Sequence, residues 1–196
     1  MMNIKHRLDE TISKWNLLEN PFYRAWSDGT LPQEALRTYA GEYGALISLM
    51  PSGWETLADH EIAQEEREHL ELWNDFAQCL GTEAGQAHLA QVRKLVETAQ
   101  RLFSDPTTAL GALYAFESQQ PATARSKLEG LKAFYNLPQT VEPYFEIHSH
   151  NQHESEKLLD RIELLSSHEQ EKALEACETM SVALWDALNG IYEAEC

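Results

Sequence analysis

The stretch that decides the fold covers residues 144–165 and has the sequence YFEIHSHNQHESEKLLDRIELL. Three of the chain's eight histidines lie here within six consecutive residues, and acidic residues flank them. In the second half, apolar residues recur at the spacing of one helical face: Leu158, Leu159, Ile162 and Leu165. The stretch therefore predicts an amphipathic helix whose first half carries side chains that can bind a metal.

Helical geometry groups three of these side chains. Positions i, i+4 and i+7 of a helix lie on one side, and Glu146, His150 and His153 have this spacing. One carboxylate and two imidazoles form a ligand set that suits a first-row transition metal. A solvated acidic helix face would show the same pattern, so the metal interpretation depends on other stretches of the chain.

Two other stretches supply matching side chains. In EIAQEEREHLELW, Glu65 and His69 lie four residues apart and share a helix face. Glu117 follows the apolar run ALYAF, where a carboxylate is costly unless it is paired or binds metal. Pro121 removes the helical donor for the Glu117 carbonyl and predicts a distorted helix there. A surface pair and an arginine-capped carboxylate are the alternatives, but together the three stretches offer three carboxylates and three imidazoles, a set that suits two iron or manganese ions.

Composition limits the class of protein. A chain of 196 residues is long enough for one domain over residues 1–196, with a sizeable core. A net charge of −17 argues against binding to nucleic acid or to an anionic membrane. Three sparse cysteines, the lack of a signal-peptide core and the lack of an 18-residue apolar run indicate a reduced, cytoplasmic protein.

The remaining sequence predicts helices almost throughout. Periodic segments separated by short loops predict seven to eight helices, which is an all-α bundle. Pro51 should break one helix, and the next helices are expected at about 61–80 and 83–103. Asp105 and Pro106 start a helix that reaches about residue 134, and Ser166 caps the last helix.

Several of these segments resemble a known family. The run ALYAFESQQPATARSKLEGL, together with FYRAWSDGTL, HLELW and YFEIH, is similar to the heme-oxygenase-like helical bundles that include PqqC, TenA and the CADD-like proteins. The similarity covers nearly the whole chain. It implies a seven-helix heme-oxygenase-like bundle without heme, and an enzyme that uses two iron ions, or iron and manganese, to activate O2.

The resemblance also implies roles for individual residues. CADD-like proteins make para-aminobenzoate for folate synthesis, with one of their own tyrosines as the source of the ring and a lysine as the amino donor. The matching residues here are Tyr23 and Lys127, and Tyr43 matches another tyrosine near that site. Among the metal ligands, Glu117 and His69 match the family directly.

The other ligand positions depart from the family pattern, which places a Glu seven residues before the first His. Here Ile62 has that spacing, and Glu65 lies one helical turn nearer to His69. The family's last motif is His-x3-Asp-x2-His, and the corresponding spacing here is Glu146, His150 and His153.

A second alignment of that motif starts from the YF-x-x-H segment. It would make His148 the ligand and would leave Gln152 and Ser155 at the other two positions. We take the first alignment as the prediction and keep the second as its alternative.

Two further functions stay open at this point. The same metal pair could oxidise an external amino acid or fatty acid, as other members of the group do. A chain that had lost its ligands would instead be a metal-free, TenA- or PqqC-like binding protein. The substrate is either a small molecule or the protein itself, and a homodimer would be usual for the family.

Overall fold

Helices dominate the chain, as predicted. The computed structural model describes residues 3–196, which contain eleven α-helices, two short 3₁₀ turns at Leu17–Glu19 and Gln139–Val141, and no strand. The α-helices are α1 Ile4–Lys14, α2 Pro21–Ser27, α3 Gln33–Ile47, α4 Met50–Thr56, α5 His60–Cys79, α6 Ala90–Leu102, α7 Pro106–Glu117, α8 Gln120–Phe134, α9 Pro143–His148, α10 His153–Glu163 and α11 Ser167–Glu195. The all-α class is confirmed.

Helix starts follow local capping chemistry. The Asp105 side chain accepts hydrogen bonds from the backbone of Thr107 and Thr108, and Pro106 lies in the first turn of α7. Ser166 and Glu169 form a reciprocal capping box at the start of α11. Both starts lie where the sequence predicts them.

The 29-residue helix α11 is the centre of the bundle and packs against α7 and α6. Its contact with α7 is unusually close at Gly111. A Cβ atom on Gly111 would lie 1.8 Å from the carbonyl oxygen of Ala173. Only glycine fits here, so the two helix backbones approach each other directly.

Three breaks raise the number of helices above the prediction. The first break lies between α3 and α4, close to Pro51. The second lies between α7 and α8, because α7 ends at Glu117, four residues before Pro121. The third break, at residues 149–152, was not expected. The predicted helix over 83–103 also starts late, at Ala90, because residues 82–89 form a loop.

Helix α9 ends at His148 because side chains there compete with the helical hydrogen bonds. Ser149 Oγ donates to the Glu146 carbonyl at 2.8 Å, and Asn151 Nδ2 donates to Glu154 Oε1 at 2.7 Å. Arg125 Nη2 donates to the Ser149 carbonyl at 3.1 Å. The prediction of one continuous helix from residue 144 to 165 is therefore wrong.

No helix within residues 3–196 combines the length and the apolarity that a bilayer crossing requires.

Candidate metal centre and tyrosine–lysine pair

Buried carboxylates and imidazoles meet where α5, α7, α9 and α10 pack together. Glu66, His69 and His148 are all buried, and their ligand atoms lie within 4.8 Å of one another. His69 Nδ1 is 3.3 Å from Glu66 Oε1, and the rings of His69 and His148 are 4.5 Å apart. This group offers two imidazoles and one carboxylate in a buried part of the core.

His148 is oriented for ligation through one of its two ring nitrogens. Its Nδ1 donates a hydrogen bond to the Tyr144 carbonyl at 2.7 Å, so Nε2 is the nitrogen left for a metal. Burial, and then the positive charge that His69 can carry, lower the pKa of His148 to about 3. The imidazole is therefore neutral at physiological pH, which is the form that binds metals.

The pKa of His69 is shifted in the opposite direction to that of His148. Burial by itself lowers the pKa of His69, but the hydrogen bond and the negative charge of Glu66, with smaller contributions from Glu154 and Glu65, outweigh it and raise the pKa. Negative charge is thus concentrated around this imidazole.

Glu117 is buried without a basic partner among the described residues, and the Trp54 indole beside it, the smallest of the influences on its pKa, lowers that pKa. It is 1% exposed, and neither carboxylate oxygen has a hydrogen-bond partner among the residues that the structure describes. Burial and the charges of Glu154 and Glu66 raise the pKa of Glu117 well above its usual value. A bound cation would resolve this desolvation, so the donor set fits a divalent metal.

A second group of donors adjoins the first. Ligand atoms of Glu65, His153 and Glu154 lie within 4.8 Å of one another, and His153 Nε2 is 3.4 Å from Glu65 Oε2. Glu154 is 1% exposed, and burial and the charge of Glu66 raise its pKa.

Three of the six residues predicted as ligands lie in these donor groups: Glu65, His69 and His153. A fourth, Glu117, lies close enough to Glu66 and Glu154 for their charges to act on it. The structure does not bring Glu146 or His150 to the site. Glu146 is exposed on α9 and pairs with Lys132 at 3.2 Å, and His150 is exposed in the loop after α9. Because the helix breaks at residues 149–152, the predicted common face of Glu146, His150 and His153 does not exist.

The buried residues that the prediction omitted are Glu66, His148 and Glu154. His148 was the alternative ligand, although Gln152, which that alignment pairs with it, is exposed.

A hydrogen-bonded tyrosine–lysine group lies in the same core. Lys127 Nζ is 3.4 Å from the Tyr23 hydroxyl and 3.2 Å from the Tyr39 hydroxyl, and the two hydroxyls are 3.2 Å apart. Tyr43 stacks on Tyr39 at 4.9 Å. Burial raises the pKa of all three phenols, so they are protonated at neutral pH.

Close packing of α2 on α8 places Tyr23 beside Lys127. Trp26 Nε1 donates to the Lys127 carbonyl at 3.1 Å, and a Cβ on Gly130 would lie 2.7 Å from the Trp26 ring. Tyr23 and Trp26 lie one helical turn apart, as do Lys127 and Gly130, so both pairs meet along the same line of contact.

Burial also changes the acid–base behaviour of Lys127, which is 3% exposed. Desolvation lowers the pKa of Lys127 to about 7. A large fraction of the side chain is therefore a neutral amine at physiological pH, with a free lone pair on nitrogen.

Aromatic residues connect this group to the metal centre. Tyr39 lies 5.4 Å from Trp73, Trp73 lies 4.8 Å from Tyr144, and Tyr144 lies 4.1 Å from His148, measured between ring centroids. Neighbouring aromatic rings therefore connect Tyr39 to His148, with successive ring centroids no more than 5.4 Å apart.

Comparison with known proteins identifies the family. The chain belongs to a family described as iron-containing redox enzymes, whose model matches residues 49–185, more than half of the chain. The protein is therefore a member of an enzyme family with a heme-oxygenase-like fold, and the resemblance to CADD-like proteins is confirmed.

Individual relatives agree with this assignment. The chain is 33% identical to a 4-aminobenzoate synthase of Nitrosomonas europaea, over 98% of this chain and 92% of the relative. It is 30% identical to a 4-aminobenzoate synthase of Chlamydia muridarum, over 98% and 91%.

Solved structures show the same fold. A heme-oxygenase-like domain from Shewanella denitrificans superposes with a TM-score of 0.81 at 14% identity, covering 99% of this chain and 94% of that one. A CADD-like protein from Nostoc punctiforme gives 0.71 at 15% identity, covering 98% and 95%.

Proposed function

We propose that this protein is a 4-aminobenzoate (para-aminobenzoate) synthase that uses O2 and two non-heme metal ions, either two irons or iron and manganese. Its ring source would be Tyr23 and its nitrogen donor Lys127. The relatives named 4-aminobenzoate synthase support the product, and the family description supports iron. The observation that carries the proposal is the 3.4 Å distance between Lys127 Nζ and the Tyr23 hydroxyl oxygen.

The connectivity of the product makes this distance meaningful. 4-Aminobenzoate carries nitrogen para to its carboxyl carbon, and tyrosine carries oxygen para to Cβ. Conversion of Tyr23 therefore requires cleavage of its Cα–Cβ bond, oxidation of Cβ to a carboxylate and replacement of the phenol oxygen by nitrogen. Lys127 lies at the end of the ring where the new carbon–nitrogen bond must form, and the phenol oxygen would leave as water. The Cε–Nζ bond of Lys127 would break by oxidation of Cε and hydrolysis of the resulting imine, which leaves an aldehyde on residue 127. O2 is the oxidant.

The acidic and histidine side chains would hold the metals. Glu66, His69 and His148 would bind one ion, Glu65, His153 and Glu154 the other, and Glu117 is the unpartnered carboxylate available to both. When bound, the metal pair supplies the electrons that reduce O2 and the oxidising power that the ring chemistry needs.

The other residues would control protons and electrons. Lys127, with its lowered pKa, supplies a neutral nitrogen for bond formation. Tyr39 accepts a hydrogen bond from Lys127 and keeps its nitrogen beside Tyr23. Trp73 and Tyr144 span the gap between Tyr39 and His148, a suitable route for electrons to leave the ring. Tyr43, stacked on Tyr39, would support that route.

Isotope labelling tests the proposal directly. Protein that contains ring-labelled tyrosine is loaded with ferrous iron without oxygen, then exposed to O2 and a reductant with no aromatic compound added. We expect labelled 4-aminobenzoate at no more than one equivalent per chain, and a peptide that has lost the side chain of residue 23. Tyr23→Phe should give no product, whereas Tyr192→Phe, on α11 outside the cluster, should behave as wild type.

Two results would contradict the proposal. Product that forms only when an amino acid or another small molecule is added would indicate an oxidase of external substrates. A protein that binds no metal and makes no product would indicate a metal-free binding protein.

A further inference from the structure

A second series of aromatic rings leads from the tyrosine–lysine group to the protein surface. The ring centroids of Tyr39 and Trp26 lie 5.5 Å apart, and those of Trp26 and Tyr135 lie 6.5 Å apart. Trp26 is buried, whereas Tyr135 is half-buried and lines a surface groove between the end of α8 and α9. A single buried ring therefore separates Tyr39 from a ring that water reaches.

Oxidisable side chains distinguish this route from the packing around it. Trp26 also contacts Phe22 and Phe145, each with a centroid distance of 6.0 Å. A phenylalanine ring is not oxidised at the potentials at which tyrosine and tryptophan lose an electron. Among the rings that contact Trp26 within residues 3–196, only Tyr39 and Tyr135 can therefore exchange electrons with it. Together with the path towards the metal centre, they complete a series of oxidisable rings that ends at the surface: Tyr144, Trp73, Tyr39, Trp26 and Tyr135.

Hydrogen bonds hold both outer rings in place and determine where protons can go. Trp26 Nε1 donates to the Lys127 carbonyl at 3.1 Å, and the Tyr135 hydroxyl donates to the Leu31 carbonyl at 3.0 Å. Because Tyr135 lies at the surface, water can take its phenolic proton when the ring loses an electron. Tyr39 is fully buried, so its proton moves through hydrogen-bond partners such as Lys127 Nζ, 3.2 Å away.

We propose that Trp26 and Tyr135 are electron-transfer residues, which bring electrons from a one-electron reductant in solution to the tyrosine–lysine group. This inference rests on the proposed function, which consumes O2 together with a reductant. It assigns the place where the electrons of that reductant enter the protein. The entry point is the ring of Tyr135, and Trp26 relays the electron to Tyr39.

Each transfer delivers one electron and one proton. When Tyr39 has lost an electron and its phenolic proton, the Trp26 ring gives it one electron, and the Lys127 ammonium group gives its oxygen one proton. Tyr135 then gives an electron to the oxidised Trp26 ring and releases its phenolic proton to water. The reductant returns one electron to Tyr135, which takes a proton back from water. The net result is a reduced Tyr39, a neutral Lys127 and an oxidised reductant.

Flash photolysis of the metal-free protein tests this route without any measurement of activity. An electron route works in both directions, so electrons removed at the surface should be replaced from residue 39. A tris-bipyridine ruthenium complex and persulfate in solution remove electrons from exposed tyrosines after a flash. Residue 39 carries difluorotyrosine, because the fluorine splitting identifies a radical at that residue by electron paramagnetic resonance. The pH is kept above the pKa of Lys127, so that its amine can accept the phenolic proton.

Substitutions without an oxidisable ring should interrupt the route. We expect wild type to show the fluorine-split radical, and Tyr135→Phe to lose it. Trp26→Phe should lose it as well, and circular dichroism checks that each variant folds. Tyr135→Phe keeps the aromatic ring and therefore decides the proposal even if Trp26→Phe does not fold. Tyr192→Phe is the matched control, because it removes a half-buried tyrosine on α11 and should keep the signal.

Two results would overturn the inference. A fluorine-split radical of equal yield in Tyr135→Phe and wild type would show that the ring of Tyr135 only fills space. No such radical in wild type would show that the rings do not conduct electrons to residue 39. Neither result bears on the proposed function, because the metal-free protein makes no 4-aminobenzoate in this assay. Failure of the proposed function would appear instead in the isotope-labelling experiment.

Discussion

Replacement of Lys127 by methionine tests how far burial has shifted its ionisation. The pKa of Lys127 is about 7 in the folded protein, against 10.5 for an ordinary lysine. Between these values the unfolded chain binds more protons than the folded one, so the stability of wild type should rise with pH. At 1.36 kcal/mol per pKa unit, deprotonating the buried lysine costs wild type about 4 kcal/mol at pH 7 and about 2 kcal/mol at pH 9.

The Lys127→Met variant has no amine at this position to titrate. Relative to Lys127→Met, wild type should therefore gain about 2 kcal/mol of unfolding free energy between pH 7 and pH 9. The variant also loses the hydrogen bonds to Tyr23 and Tyr39. This loss changes the unfolding free energy by the same amount at both pH values, so it cancels in the difference. Urea denaturation at the two pH values gives all four free energies.

Lys132→Met is the matched control. Lys132 lies on the same helix but is exposed and pairs with Glu142 and Glu146, which raises its pKa further above this pH range. It should show no such change relative to wild type. Parallel stability curves for wild type and Lys127→Met between pH 7 and pH 9 would refute a lowered pKa at Lys127.

Three further substitutions test other parts of the structure. Glu117→Leu should stabilise the metal-free protein by about 1–3 kcal/mol, because it removes a carboxylate whose burial is unfavourable enough to raise its pKa well above the usual value. Ferrous iron should raise the Tm of wild type more than that of the variant, and a destabilised metal-free variant would contradict this. Gly111→Ala should destabilise by about 1–3 kcal/mol or more, because its Cβ would collide with the Ala173 carbonyl, and an unchanged Tm in thermal unfolding would show that the helices can separate freely. Ser166→Ala should cost about 1 kcal/mol in urea denaturation through loss of the capping box; equal midpoints would show that the cap contributes nothing.

The architecture was predictable because helix signals are local. Asp105 with Pro106, and Ser166 with Glu169, determine helix starts within a few residues of chain. The break at residues 149–152 was not predictable from periodicity, because apolar spacing continues on both sides of it. What ends α9 includes a long-range contact, the hydrogen bond from Arg125 to the Ser149 carbonyl.

The ligand positions that were missed do carry a sequence signal. Glu66 and His69 lie on the same face of α5 as Ile62 and Trp73, both buried. An acidic residue on the apolar face of a helix is unusual, and this periodicity favours Glu66 over Glu65 as the buried member. In α10, Glu154 likewise precedes buried Leu158 by four residues.

The contact between Tyr23 and Lys127 could not be predicted from sequence patterns, because it depends on how the helices pack. Residues 23 and 127 are far apart in sequence, and no local pattern brings them within 3.4 Å. Family resemblance supplied both residues, whereas the packing of Trp26 on Gly130 supplies the physical reason for their contact. The hydrogen bond from Lys127 to Tyr39, the other phenol of the group, likewise depends on this packing.

Helix α9 contacts both the tyrosine–lysine group and the metal centre, and the charges of the two groups influence each other. Within six residues it carries Phe145, which lies 5.3 Å from Lys127 Nζ, and His148, whose charged form is disfavoured by the positive charge of Lys127. A divalent ion at His148 would repel the ammonium form of Lys127 in the same way and lower its pKa further. Metal binding would thus increase the fraction of neutral amine at Lys127. The same repulsion acts in reverse, so the neutral lysine favours metal binding, and the two conditions for the proposed chemistry reinforce each other.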